Sequence, residues 1–154
     1  MENKMINYIE RAVTPCEFNL LRKSVGWNEF NENEIGKSLE HYLYSIAAVD
    51  DSNDRIVGMG RVLGDEKIDF FIKDIIIVPE YQGKHIGTTI MNKIMEYINR
   101  NAVDLANVAL MAAKDKETFY ERFGFSVRPN TRQGAGMNLK IITNLDASAR
   151  YGVL

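Results

Sequence analysis

The stretch from Asp74 to Ile98, DIIIVPEYQGKHIGTTIMNKIMEYI, leaves few folds open to this chain. Ile75-Ile76-Ile77-Val78 is a β-branched run suited to a strand buried on both faces. Pro79 ends it, because proline has no N–H to give to a ladder. After a short loop, Ile86, Ile90, Ile94 and Ile98 recur every four residues, and Met91 and Met95 widen that stripe into the apolar face of a helix. The loop therefore lies at a helix N-terminus, where unpaired N–H groups and the positive end of the helix dipole favour an anion, most often phosphate. Gly83 and Gly87 let backbone approach an anion closely, Thr88 and Thr89 add hydroxyl donors, and Lys84 adds a cation. The same pattern also serves as an ordinary strand–helix connection.

The flanking sequence supplies a sheet for that unit. Met5 to Val13 reads as a first strand. Thr14-Pro15-Cys16-Glu17 carries a capping box and a proline at the first helical position, so a helix starts there, turns Phe18, Leu21 and Val25 inward, and ends at Gly26. Cys16 is expected to be a small buried residue. Asn33 is expected to cap a second helix with Ile35, Leu39, Tyr42 and Leu43 on one face. Trp27 and Phe30, in the connection between the helices, read either as core plugs or as walls of an acceptor pocket. Tyr44–Val49 and Arg55–Leu63 flank the polar turn 50–54 as a hairpin, with Gly58 and Gly60 marking a bulge or a close backbone approach. A strand from Lys67 to Val78 follows. Leu105 to Ala112 reads as a strand parallel to it, and Asp115 as the cap of a short helix closed by Gly124. Phe125–Arg128 and Met137–Ile142 read as a final strand pair. Antiparallel strands followed by a βαβ crossover predict an α/β (α+β) domain, a mixed, mostly antiparallel central sheet flanked by helices. At 154 residues, with no repeats or linkers, a single domain spanning 1–154 is expected.

Composition narrows the class of function. A net charge of -2 gives no electrostatic signature for nucleic acid or an anionic membrane, and one cysteine excludes an internal disulfide framework and a cysteine-only metal cluster. The apolar runs are too short for a membrane span, and the N-terminus has no signal-like apolar core, so a cytoplasmic enzyme or binding module is expected.

Two well-known phosphate loops do not fit. The residues after Gly87 are threonines where the nucleoside-triphosphate loop needs a lysine, and 82–87 lacks the G-x-G-x-x-G of dinucleotide-binding folds. The loop instead resembles the pyrophosphate-binding signature of the GNAT superfamily of acyl-CoA-dependent N-acyltransferases, Q/R-x-x-G-x-G/A. Gln82 and Gly87 match it, and His85 stands where the family has its first glycine. The apolar strand ending in Val78-Pro79 is similar to the family's, and Phe119-Tyr120-Glu121-Arg122-Phe123-Gly124-Phe125 resembles its F-Y-x-x-x-G-F segment. These likenesses cover most of residues 55–128. Ala113 stands where the family often has an asparagine, seven residues before the tyrosine.

The resemblance implies a sheet whose parallel strand pair splays apart to admit the pantetheine arm of acetyl-CoA, a co-substrate, with no metal. It implies that Ile76, Ile77 and Val78 hold the arm through their backbone groups. Gln82, Gly83, Lys84, His85, Ile86, Gly87 and Thr88 would hold the pyrophosphate. It gives Tyr120 the role of general acid, a phenol that stays protonated at neutral pH and can donate to the departing sulfur. Tyr120 as a packing residue is the alternative. The general base is open among Glu66, Asp69, Asp74, His41, His85 and a water relay; strand alternation sets Asp69 and Asp74 on opposite faces unless a bulge intervenes. The expected reaction is acetyl transfer to a primary amine of a small molecule, with no nucleic-acid or membrane partner and a homodimer as an option. Nearby carboxylates are expected to attract the acceptor's ammonium. The alternatives are a non-catalytic acyl-CoA-binding module, a protein-lysine acetyltransferase and, less favoured, a nucleotide-binding protein.

Overall fold

The structure, a computed structural model, describes residues 5–142. The chain divides into two compact units, Met1–Met111 and Ala112–Leu154. The first unit holds a five-stranded sheet in simple sequence order: β1 (Ile6–Glu10), β2 (Tyr44–Asp50), β3 (Arg55–Gly64), β4 (Asp69–Ile77) and β5 (Asn107–Leu110). Neighbours are antiparallel except β4 and β5, which run parallel through the crossover helix α3 (Ile86–Asn101). The expected mixed sheet is therefore present, with β5 trimmed at both ends relative to the sequence reading.

Helix α1 (Pro15–Ser24) begins as its sequence demands. Thr14 accepts from the N–H of Glu17, and Glu17 returns a bond to the N–H of Thr14. Helix α2 (Glu32–Glu40) is capped by Asn31 instead of Asn33, since Asn31 is the residue whose side chain reaches the first-turn N–H, that of Asn33. It stops before Tyr42 and Leu43, which lead into β2. Cys16 is exposed rather than buried, because Phe18 and Leu21 set the inward face of α1 and Cys16 falls on the opposite side.

Two faces of the sheet are told apart by β3. Glycine at positions 58 and 60 lets α3 press close, since a Cβ on Gly60 would stand 2.8 Å from Ile90 and 3.0 Å from Ile94. That face takes Ile86, Ile90, Met91, Ile94 and Ile98, all almost fully buried. The residues between, including Met59 and Arg61, face α1, which packs on β3 and β4.

β4 carries an irregularity that bears on the site. Met59 pairs with Ile76 while Arg61 pairs with Lys73, so three steps along β4 answer two along β3. The extra residue is Asp74, in the left-handed conformation at φ 54°, which aspartate tolerates better than most side chains. The bulge turns both Lys73 and Asp74 to the α1 face.

The second unit contains α4 (Glu117–Glu121), which starts two residues beyond the expected cap Asp115, and Gly124 closes it at φ 91°. Neither half of the expected final strand pair forms among the described residues. Phe125–Arg128 is cut short by Pro129, and the following chain is held as a turn by Arg128 Nε to the Gly134 carbonyl and by the Asn130–Gln133 bonds. Met137, Leu139 and Ile141 alternate as a strand would. Alternation makes a strand only where a partner answers its N–H and C=O groups, and these side chains are exposed.

Candidate functional site

The loop after β4 is anchored at its strand end. A single 3-10 turn at Pro79–Tyr81 follows the strand, and the Tyr81 hydroxyl donates 2.5 Å to Asp50 Oδ2, both side chains being buried. Gln82 Nε2 donates 2.9 Å to the Ile77 carbonyl, tying the loop to the end of the strand it leaves. Gln82's side chain thus has a backbone partner of its own.

From Gly83 to Thr88 the backbone N–H groups have no hydrogen-bond partner among the described residues, and no side chain caps α3. The next N–H, that of Thr89, returns to the His85 carbonyl, as does the Thr89 hydroxyl. Gly83 takes φ 73° with nothing within 4 Å of where its Cβ would be, so its surroundings are open. Lys84 Nζ lies 5.0 Å from the Tyr81 ring centre. A row of donors unanswered among the described residues, exposed at Gly83, Lys84 and His85 and lying at the positive end of a 16-residue helix, fits a diphosphate well.

His85 sits at φ 62°, ψ 10°. This is the left-handed region, which explains why a glycine suits the position and why histidine strains it. His85→Gly is accordingly expected to raise stability by about 1 kcal/mol, read as a higher denaturation midpoint, with binding through the loop retained.

β4 has an open edge beside this loop. Its pairing with β5 runs from Asp69–Asn107 to Ile72–Leu110 and stops, so from Lys73 onward that edge has no strand partner among the described residues. Val78 gives its N–H to the Val57 carbonyl. Alternation along the ladder turns the Ile76 backbone toward β3 as well and leaves Ile77 as the one of the three directed to the open side.

The candidate bases are mostly engaged. Asp74 accepts from Arg61 Nε at 2.6 Å and lies 3.9 Å from Arg22 Nη1, with its side chain only 6% exposed. Glu66 accepts from the Tyr97 hydroxyl at 2.7 Å. Asp69 is exposed at the far end of β4, and His41 closes α2. The bulge also moves Asp74 to the face that alternation gives Asp69, so the expected opposition of the two does not occur.

Around Asp74 the sequence reading missed a cation cluster. The Arg22 guanidinium carbon lies 5.4 Å from the Phe18 ring centre, 5.4 Å from Trp27 and 4.7 Å from Phe30, and Arg22 Nε donates to the Asn28 carbonyl. Burial pulls the Arg22 pKa below its ordinary value; Asp74 opposes that pull and Arg61 adds to it. Trp27 and Phe30 are thus neither sealed plugs nor bare walls: each ring lies against Arg22 and remains partly exposed. The signal available in the sequence was Arg22 four residues after Phe18 on α1.

Tyr120 belongs to the second unit. Its ring meets Phe119 and Phe125 edge-on, at 5.0 and 6.4 Å between centres. Its hydroxyl makes no hydrogen bond among the described residues, nor is it a sealed unsatisfied group. Burial pushes its pKa up to about 12.

A family model for the acetyltransferase (GNAT) domain matches residues 22–140. The fold is similar to that of a probable acetyltransferase of unknown function from methicillin-resistant Staphylococcus aureus, with a TM-score of 0.80 and 32% identity over 88% of this chain and 99% of that one. The sequence is 28% identical over 120 residues to the uncharacterized N-acetyltransferase ycf52 of Porphyra purpurea, covering 77% of this chain and 68% of that protein. It is 26% identical over 112 residues to the rice chloroplast protein serotonin N-acetyltransferase 2, covering 71% of this chain and 55% of that protein.

Proposed function

Because the chain belongs to the GNAT acetyltransferase family, we propose that it moves an acetyl group from acetyl-CoA to a primary amine of a small molecule, with residues 1–154 acting as one catalytic domain. The observation that carries the choice of donor is the row of N–H groups from Gly83 to Thr88 and the nearby edge of β4, both without partners among the described residues. Acetyl-CoA supplies a thioester that an amine can attack directly, so no covalent enzyme intermediate is needed.

The chain's own part is binding, orientation and proton delivery. The N–H groups of 83–88 and the Lys84 ammonium hold the diphosphate. The Ile77 N–H, facing the open edge, is the donor for the pantetheine arm or the thioester carbonyl. Tyr120 takes the role of acid on the strength of its motif and of a phenol kept neutral by burial. The departing sulfur gains a proton as the new amide forms and the acceptor nitrogen loses one. Holding donor and acceptor in line supplies much of the rate. That a similar rice protein bears the name of a serotonin acetyltransferase supports a small acceptor.

The test is free-thiol release from acetyl-CoA with a panel of small amines and lysine peptides, each product checked by mass. Turnover on at least one small amine, above that on peptides, is expected. Thiol release on peptides alone would sink the small-molecule reading, and none on any amine would leave a binding module.

A further inference from the structure

The charge around the bulge has the opposite sign to the one expected of an ammonium-attracting recess. The α1 face of β3 and β4 there presents Arg61 and Lys73, which are direct cross-strand partners, and Arg22 reaches the same place from α1. Against these three cations stands one carboxylate, Asp74, already bound to both arginines. No other carboxylate lies within ion-pair distance of the three cations among the described residues: Glu17 is held by Arg11, and Glu80 lies beside Arg55. The local excess is two positive charges.

Part of that excess is available to a ligand. Among the described residues no buried side-chain nitrogen lacks a partner, so the guanidinium N–H groups not directed at Asp74 and Asn28 keep contact with solvent. Trp27 and Phe30, residues 37% and 50% exposed, flank the Arg22 guanidinium and could cover the apolar part of a small molecule. The position along the strand matters most. Lys73 and Asp74 are the first residues of β4 beyond its pairing with β5, on the same strand as Ile77, whose N–H is assigned to the pantetheine arm or the thioester.

Resting on the proposed acetyl-CoA reading, we infer that the acceptor is a small amine that also carries an anionic group, a carboxylate or a phosphate, bound by Arg22, Arg61 and Lys73. Such a group forms charge-assisted hydrogen bonds to guanidinium and ammonium, whereas a polyamine or a basic peptide meets like charge. The amine then projects toward the open edge of β4.

Matched acceptor pairs test this in the thiol-release assay with the whole protein. One pair is an α-amino acid and its methyl amide; the other is an amino-sugar phosphate and the free amino sugar. The anionic member of at least one pair is expected to have a kcat/KM higher by about tenfold or more, and which pair responds tells carboxylate from phosphate. Lys73→Gln, on a partly exposed strand position, should raise KM for that acceptor and leave KM for acetyl-CoA unchanged. Because Arg61→Gln alone strands Asp74, the double variant Arg61→Gln/Asp74→Asn is used, with its melting curve measured alongside. Equal or faster turnover of the neutral members, or of a polyamine, overturns the inference while the acetyltransferase reading stands. A preference that survives both variants places anion recognition elsewhere and also overturns it. No thiol release with any amine overturns the reading beneath it, and this inference with it.

Discussion

Gly87→Glu is expected to lower acetyl-CoA affinity by at least about a hundredfold while leaving the fold as stable as before or more so. Gly87 is the second residue of α3, and its N–H is one of those with no partner among the described residues. A carboxylate in the first helical turn is favourable to the helix itself, and glutamate is a better helix former than glycine by about 1 kcal/mol. Toward a diphosphate the same carboxylate is repulsive, and it can occupy the donors that would otherwise be offered. Charge-assisted hydrogen bonds are worth about 1.5–3 kcal/mol each, so losing one or two gives the hundredfold. The two effects have opposite signs, which makes the experiment clean. Calorimetric titration and a melting curve on one sample measure both. An unchanged dissociation constant in a folded variant would move the diphosphate site away from this loop.

The parts of this molecule that were legible in the sequence are those set by local rules. Thr14-Pro15-Cys16-Glu17 states its own capping box, and Ile86, Ile90, Ile94 and Ile98 state the face of α3. The loop between β4 and α3 was legible for the same reason, since proline, glycines and the start of an apolar period fall within a few residues. What stayed hidden depends on register or on contacts distant in sequence. Nothing local says that Asp74 will adopt φ 54°, yet that residue decides that Lys73 and Asp74 share a face. The pairing of Arg22 and Arg61 with Asp74 joins residues up to 52 positions apart, so Asp74 read as a candidate base when it is the anchor of two cations. The alternation at Met137, Leu139 and Ile141 was a true local pattern with no ladder to complete it among the described residues. His85 shows the converse. Its departure from a glycine signature looked like a defect in the motif, while the backbone keeps the left-handed turn and carries the strain in a histidine.

Tyr120→Phe is expected to lower kcat by about one to two orders of magnitude with KM for acetyl-CoA little changed. The substitution removes one oxygen from a ring fixed edge-on between Phe119 and Phe125, so packing within α4 and its flank is preserved. It breaks no hydrogen bond among the described residues, and hence it should cost little stability. Whatever activity is lost therefore belongs to the proton the hydroxyl delivers. Burial supplies a second, independent mark. With its pKa pushed up to about 12, the phenol is fully protonated through neutral and mildly alkaline pH, as an acid must be. A falling alkaline limb caused by Tyr120 should then lie near pH 12, with none attributable to a phenol at its ordinary value near 10. Profiles of kcat against pH for the wild type and the variant, limited to the range in which the fold persists, read this directly. A variant that turns over at the wild-type rate, where acetyl transfer is shown to be the slow step, would make Tyr120 a packing residue. The protonation of the leaving sulfur would then fall to water.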